Sequence, residues 1–196
     1  MRLLPYGPRA VLAEFDTLGE VISTASAWRA AHLPGVVDIV PAARTVLVVH
    51  DGRFDTTSLF AAVALVEPDE RRHITIDVLY NGADLAAVAA AAGLTTAGVV
   101  ELHSSAVYTV AFCGFMPGFA YLVGLPAALH LPRRATPRTR VPVGSVAVAA
   151  EFTGVYPRES PGGWHLLGTA DAVLWDDAAT PPALLAPGTT VRFRQR

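Results

Sequence analysis

Three blocks of this sequence join residues that can do chemistry to residues that fix backbone shape: GFMPGFAYL (114–122), PRRATPRTRVPVGSV (132–146) and TGVYPRESPGGWHLLG (153–168). The middle block gathers Arg133, Arg134, Arg138 and Arg140 into a short stretch stiffened by prolines. Guanidiniums held so close repel one another unless acids or an anion compensate, and the block contains no acid. A phosphate or carboxylate ligand fits it; so does the plainer reading of a solvated basic loop. In the third block Gly162 and Gly163 stand directly before Trp164 and His165. Paired glycines allow close approach of a ligand and expose amide donors suited to an oxyanion. His165 is a candidate general acid or base, set against a satisfied polar residue at a strand start; Trp164 reads as a core anchor. In the first block Pro117-Gly118 signals a turn with Phe115, Phe119 and Tyr121 around it, either a packed barrel loop or one that also lines a pocket. His103 follows Glu101 near a helix end, where the helix dipole favours its charged form and gives it a sufficient structural reason.

These blocks need a scaffold. From Arg2 to about Val66 the pattern predicts strand, turn, strand, helix, strand, strand, helix: RAVLAEF is strand-like, and LGEVISTASAWRAAHL carries Val21, Ile22, Ala25, Trp28 and Leu33 close to one helical face. VVDIV and TVLVVH read as paired strands, with a short helix over 57–66. The charge cluster EPDERRH (67–73) interrupts the periodicity and marks a domain boundary, giving an α+β domain over 1–72 and a second domain over 73–196. There ITIDVLY is a strand, 82–92 a helix closed by Gly93, and 94–102 a second helix capped by Thr95 or Thr96. Strand-like runs at 107–112, 141–148, 164–167, 173–175 and 190–193, joined by turn-rich connections, predict a closed or nearly closed β-barrel. The arginine block and the double-glycine bend are expected side by side on one barrel wall.

Composition narrows the function. The chain has 196 residues, and all 15 basic residues are arginine, so Schiff-base and lysine-base chemistry is excluded. Residues 1–102 hold 7 arginines against 12 acids and residues 103–196 hold 8 against 5. The overall net charge of -2 argues against general nucleic-acid binding. No run offers the ~20 apolar residues of a membrane span, and the N-terminus lacks a signal-peptide pattern, so a soluble cytoplasmic protein is expected. Cys113, the one cysteine, excludes an internal disulfide and a cysteine-only metal site, and its apolar setting reads as a small hydrophobe; no metal site is expected. Walker, Rossmann, HExxH and GxSxG signatures are absent.

On YTVAFCGFMPGFAYLVGL (108–125), PRRATPRTRVPVGSV, TGVYPRESPGGWHLLG and the terminal PGTTVRF (187–193), the chain resembles the 5-oxoprolinase B-subunit family. That family is also called allophanate hydrolase subunit 1 or the kinase-A-inhibitor-like carboxyltransferase-domain family. Weaker agreement extends through VVDIVPAARTVLVVHD and YNGADLAAVAAAAGLTTAGVVELH.

The resemblance implies a small N-terminal α+β domain followed by a cyclophilin-like β-barrel. It implies an ATP-hydrolysing subunit of a 5-oxoprolinase that opens 5-oxoproline to L-glutamate. It further implies two partners, a homologous C-type subunit with a separate A-type one, without which the chain is inactive. ATP, with Mg2+, is the implied co-substrate, and no tightly bound cofactor is implied. The site carried over comprises Arg138 and His165 as catalytic residues, with Arg133, Arg134, Ser145, Tyr156, Ser160, Gly162 and Gly163 binding lactam or nucleotide. Relatives also suggest a regulator that inhibits a sensor histidine kinase, or a ureide or allophanate hydrolase subunit; a peptidyl-prolyl isomerase would rest on architecture alone. The sequence departs from the family pattern at Ala149-Ala150, where Ala-Gly is common, at Phe152 in place of Gln, and at Thr169 where an Arg often stands.

Overall fold

The computed structural model describes residues 1–61 and 72–196. The chain divides into two compact units, residues 1–71 and 72–196.

In the first unit an antiparallel sheet in the order β1-β2-β4-β3 is built from β1 (Arg2–Pro5), β2 (Ala10–Glu14), β3 (Val36–Pro41) and β4 (Thr45–His50). Helix α1 (Leu18–Ala30) covers it. Thr17 starts that helix through a reciprocal capping box with Glu20, which satisfies two backbone donors that the first turn would leave free. Alternate residues of β2 and β4, among them Val11, Ala13, Val46 and Val48, meet Val21, Ala25 and Trp28 in one core. The indole of Trp28 donates to the Leu59 carbonyl at 2.9 Å and so ties down α2 (Ser58–Ala61). Ile22 and Leu33 are half-buried at the edge of the predicted apolar face. The rest of the helix expected over 57–66, and residues 67–71 of the charge cluster placed at the boundary, lie outside the described residues.

The second unit is a closed seven-stranded barrel with two helices, the α+β architecture expected. Its strands are β5 (His73–Leu79), β6 (Tyr108–Cys113), β7 (Ala120–Val123), β9 (Ser145–Ala149), β10 (Phe152–Val155), β12 (His165–Ala170) and β13 (Thr190–Gln195), in the cyclic order β10-β7-β6-β13-β5-β12-β9. Only β5 and β13 run parallel among these pairs. Helix α3 (Leu85–Ala92) ends on Gly93 at φ +67, and α4 (Thr96–Ser105) starts with Thr95 accepting from the Gly98 N–H. Both helices add apolar side chains, Val88, Ala89 and Val99, to the barrel core.

Strand β9 is buried along its whole length because both of its faces are covered. Val146 and Val148 point into the barrel core, while Ala147 and Ala149 face a second cluster of Phe119, Val141, Tyr156, Trp164 and Leu166. Edge-to-face contacts of Phe119 with Tyr156 (5.3 Å) and Trp164 (5.5 Å) join that aromatic layer. Phe152, a departure from the family pattern, packs edge-on against Phe112 and Tyr121 in the same layer.

Two expectations are corrected. The strand expected over 141–148 is broken by a turn at Pro142–Gly144, where Gly144 takes φ +76. Residues 173–175 form no strand, only the bridge between Trp175 and Ala183.

His103 is also corrected. It is wholly buried and stacks on Phe193 at 4.7 Å. The Thr153 hydroxyl donates to the Ala147 carbonyl, so its oxygen accepts from His103 Nε2, and Nδ1 accepts from the Tyr80 hydroxyl at 2.7 Å. Desolvation pushes the imidazole down to about 3 and holds it neutral, overriding the helix-end effect. The unfolded chain therefore takes up a proton near pH 6.5 that the folded protein refuses, so the unfolded state binds more protons across the interval between the two values. Stability is fully present above about pH 6.5 and falls as pH drops toward 3, by up to about 1.4 kcal/mol per pH unit. Urea titrations between pH 4.5 and 7.5 are expected to show this slope, and His103→Gln to flatten it whatever its effect on absolute stability.

Candidate functional site

The arginine block and the glycine bend do meet, but not on the barrel wall. Strand β8 (Arg138–Val141) pairs antiparallel with β11 (Ser160–Gly162) in a two-stranded ribbon of its own, with Arg138 opposite Gly162 and Ser160 opposite Val141. Upstream, the Arg134 N–H donates to the Gly163 carbonyl at 2.8 Å. The ribbon's register shifts between Ser160 and Gly162, and the strand packs closely there, where a Cβ on Gly162 would collide with the Tyr156 hydroxyl.

Asp84, fifty residues away in sequence, organises this ribbon. Its Oδ1 accepts from Arg134 Nη1 at 2.8 Å and from Arg138 Nη2 at 2.7 Å, while Oδ2 accepts from the Leu166 N–H at 2.8 Å. The Asp84 N–H donates to the Leu166 carbonyl at 3.0 Å in return. This exchange needs the backbones in contact, and Gly82 permits it: a Cβ there would overlap the Leu166 carbonyl. Asp84 precedes α3 in the N-cap position, yet its side chain caps nothing; both oxygens are spent on the arginines and on β12. Burial alone would raise its carboxyl, but hydrogen bonds from Arg138 and Leu166, with the Arg138 and Arg134 charges, outweigh that and hold it below the usual carboxylate range.

The block's missing acids are thus supplied from outside it, since Arg140 also pairs, with Glu159 at 2.6 Å. Arg133 is exposed and has no ion-pair partner among the described residues. Compensation is incomplete. Arg134 Nε, Arg138 Nη1 and Ser160 Oγ are buried with no hydrogen-bond partner, and buried polar atoms left so are costly and mark where an acceptor belongs.

The other candidates border this cluster. His165 opens β12, and its Nε2 donates to the Pro132 carbonyl at 2.9 Å, tethering the start of the arginine block and leaving Nδ1 as the basic nitrogen of the neutral ring. Tyr156 is buried against Phe119; burial raises its phenol, while the charges of Arg133 and Arg138 pull the other way. The Ser145 hydroxyl donates to the Pro142 carbonyl at 2.7 Å and its own carbonyl accepts from the Tyr156 N–H, so it closes the turn that leads out of β8. Thr169, in the place of the family's arginine, contacts the Asn81 side chain at 3.0 Å. Trp164 is a core anchor, as read from the sequence. Cys113 is half-buried, with its sulfur 3.5 Å from the Leu185 carbonyl. No single helix among the described residues is long and apolar enough to cross a membrane.

Sequence reasoning missed Asp84. The sequence places it inside the helix expected over 82–92, whereas α3 starts at Leu85 and Asp84 stands just before it; no local signal marks its long-range pairing.

Residues 1–185 match the family described as carboxyltransferase domain, subdomain C and D. The chain is 43% identical over 203 residues to the B subunit of 5-oxoprolinase from Escherichia coli O157:H7, covering 95% of this chain and 92% of that protein. It is 49% identical over 125 residues to the B subunit of 5-oxoprolinase from Haemophilus influenzae, covering 62% and 59%. The crystal structure of TTHA0988 superposes with a TM-score of 0.84 at 37% identity over 96% of this chain, which spans only 40% of that longer chain.

Truncating Asp84 strands two guanidiniums and the Leu166 N–H. Asp84→Ala is expected to cost about 3 kcal/mol, the low end for breaking a buried pair because both arginines retain some exposure. Asp84→Asn, which keeps an acceptor for Leu166, is expected to cost less; urea denaturation of the two variants measures the difference.

Proposed function

The chain belongs to the carboxyltransferase-domain family, subdomains C and D, and on that premise we propose that it is the B-type subunit of an ATP-dependent 5-oxoprolinase, opening 5-oxoproline to L-glutamate together with A- and C-type partners. The observation that carries this reading is the Asp84-anchored arginine and glycine ribbon with donors still lacking an acceptor. A site made that way suits an oxyanion, whether the substrate carboxylate or a phosphoryl group.

The chemistry asks for such a site. A lactam is stabilised by amide resonance and resists water. Transfer of the γ-phosphoryl group of ATP to its carbonyl oxygen forms the O–P bond, breaks the β–γ bridge and releases ADP, leaving an activated imidate. Water then adds to that carbon, the C–N bond and the phosphate ester break, and glutamate and inorganic phosphate leave. Phosphoryl transfer and the departure of phosphate both develop negative charge on oxygen, and positioned cations and N–H donors stabilise such charge best where reorganisation is small.

Asp84 fixes the direction of Arg134 and Arg138 before a ligand arrives, which reduces the reorganisation that binding requires. The Tyr156 hydroxyl takes the space beside Gly162, and Gly163 has the freer flank, with only Pro137 and Arg133 side-chain carbons near, at 3.8–3.9 Å. His165, fixed through Nε2, presents Nδ1 as the atom that would take a proton from water. Arg133 adds charge from the solvent side. Mg2+ would arrive with the nucleotide and share the phosphate charge; among the described residues no group of His, Cys, Asp or Glu side chains could hold a metal by itself.

The test is reconstitution of this chain with its A- and C-type partners, following ATP consumption and glutamate release on addition of 5-oxoproline. Arg138→Gln and His165→Ala are each expected to lower turnover by a factor of about a hundred, the loss typical of one electrostatic or acid–base group. Rates equal to wild type would remove that residue from the mechanism, and a reconstituted wild-type complex with no activity on 5-oxoproline would refute the functional reading.

A further inference from the structure

Phe115 has a backbone that its residue type disfavours and a side chain left outside the core. It sits at φ +70, and the Met116 N–H donates to the Gly114 carbonyl at 2.8 Å, closing a three-residue turn centred on it. A γ-turn with positive φ is the rarer, strained form, and it persists only where the surroundings over-determine it. Here they do. Gly114 N–H donates to the Phe119 carbonyl at 3.2 Å and Phe119 N–H to the Met116 carbonyl at 3.0 Å, so backbone bonds lace the loop at both ends. Gly118, at φ +84, lies so close to Trp175 that an added Cβ would come within 2.9 Å of the Trp175 Cβ.

What this rigid loop delivers is a phenylalanine that is 60% exposed to solvent. Stability does not account for it, because glycine would relieve the backbone and the ring buries little of itself. Its inner edge contacts Phe119 at 5.5 Å and Tyr156 at 6.4 Å, both edge to face. Tyr156 is the link to the site: its hydroxyl abuts Gly162, which pairs opposite Arg138, and its phenol lies within the influence of the Arg133 and Arg138 charges. One tyrosine ring therefore separates Phe115 from the arginine–glycine ribbon.

We propose that Phe115 is the apolar contact of this site, its exposed ring packing against the hydrocarbon part of a small anionic ligand whose charged group is held at the ribbon. Resting on the function proposed above, the ligand part concerned is the ring methylenes of the cyclic amide. Selectivity for a compact ring over an open-chain acid would then come from Phe115, while the ribbon reads charge alone.

The experiment is steady-state kinetics of the reconstituted complex with 5-oxoproline as the varied substrate. Phe115→Ala is expected to raise KM roughly tenfold with kcat little changed, the scale on which apolar pockets discriminate, and Phe115→Tyr to restore the wild-type KM. Phe115→Gly is expected to raise KM likewise while its thermal midpoint holds or rises, which a merely structural residue would not do. An unchanged KM in Phe115→Ala, with wild type active, overturns the inference and leaves the function standing. Loss of partner co-purification in Phe115→Ala, with KM unchanged once partners are saturating, also overturns it, because the ring is then a protein contact. A wild-type complex inert toward 5-oxoproline takes down the function and this inference together.

Discussion

One carboxylate holds the candidate site together. Asp84 receives two guanidiniums on one oxygen and a backbone N–H on the other, so the entrance to α3, the barrel strand β12 and the ribbon formed by β8 and β11 converge on a single buried group. Without that negative charge Arg134 and Arg138 would repel each other, and the ribbon would lose its strongest attachment to the barrel. The pairing leaves a unit of positive charge on the two arginines in a partly buried place. Such a place attracts an anion without collapsing onto itself, and it explains how a block of four arginines with no local acid folds into a defined geometry.

The barrel supplies the rigidity that this arrangement needs. Strand β9 is apolar on both faces, so the barrel core and the outer aromatic layer share one wall. Leu166 and Leu167 repeat the division on β12: the first packs outward with Trp164 and offers its backbone to Asp84, while the second fills the barrel. Displacing the Asp84 junction would therefore mean moving a strand packed on two sides, which dense interiors resist.

Much of this is legible in the sequence, and the exceptions share a physical cause. Local signals are sound: the helix α1 from Leu18, the Gly93 stop of α3, the Thr95 cap of α4 and the paired β3 and β4 all arise from interactions within a few residues. The nearness of the arginine block to the double glycine can also be read, since both lie in the turn-rich part of a barrel. What the sequence hides is long-range partnering. Asp84 reads as one residue of the helix expected over 82–92 until Arg134 and Arg138 arrive from fifty residues on, and His103 reads as a charged helix end until Phe193, Tyr80 and Thr153 enclose it. The single strand expected over 141–148 fails on an ordinary turn, because the β-branched residues around Pro142 and Gly144 mask their signal. Ala150 reads only as a departure from the family's glycine; its φ of +50 shows that the backbone there keeps the left-handed form a glycine would favour.

The division between ribbon and barrel has a consequence for how the site can work. Apart from His165 at the start of β12, the residues that would meet a ligand belong to a ribbon and a loop outside the closed sheet, whereas those that orient them, Asp84, Leu166 and the aromatic layer, belong to the barrel and its helices. A ligand that engaged Arg138 Nη1 or Ser160 Oγ would satisfy donors that the folded chain leaves without partners, and binding would relieve a cost already incurred in folding. The same donors are enclosed in the free chain, so access to them requires the ribbon to shift while the barrel stays fixed. The two-stranded ribbon, anchored by Asp84, by the His165 tether and by the buried Val141, has fewer backbone pairings to give up in such a movement than a barrel strand paired on both edges.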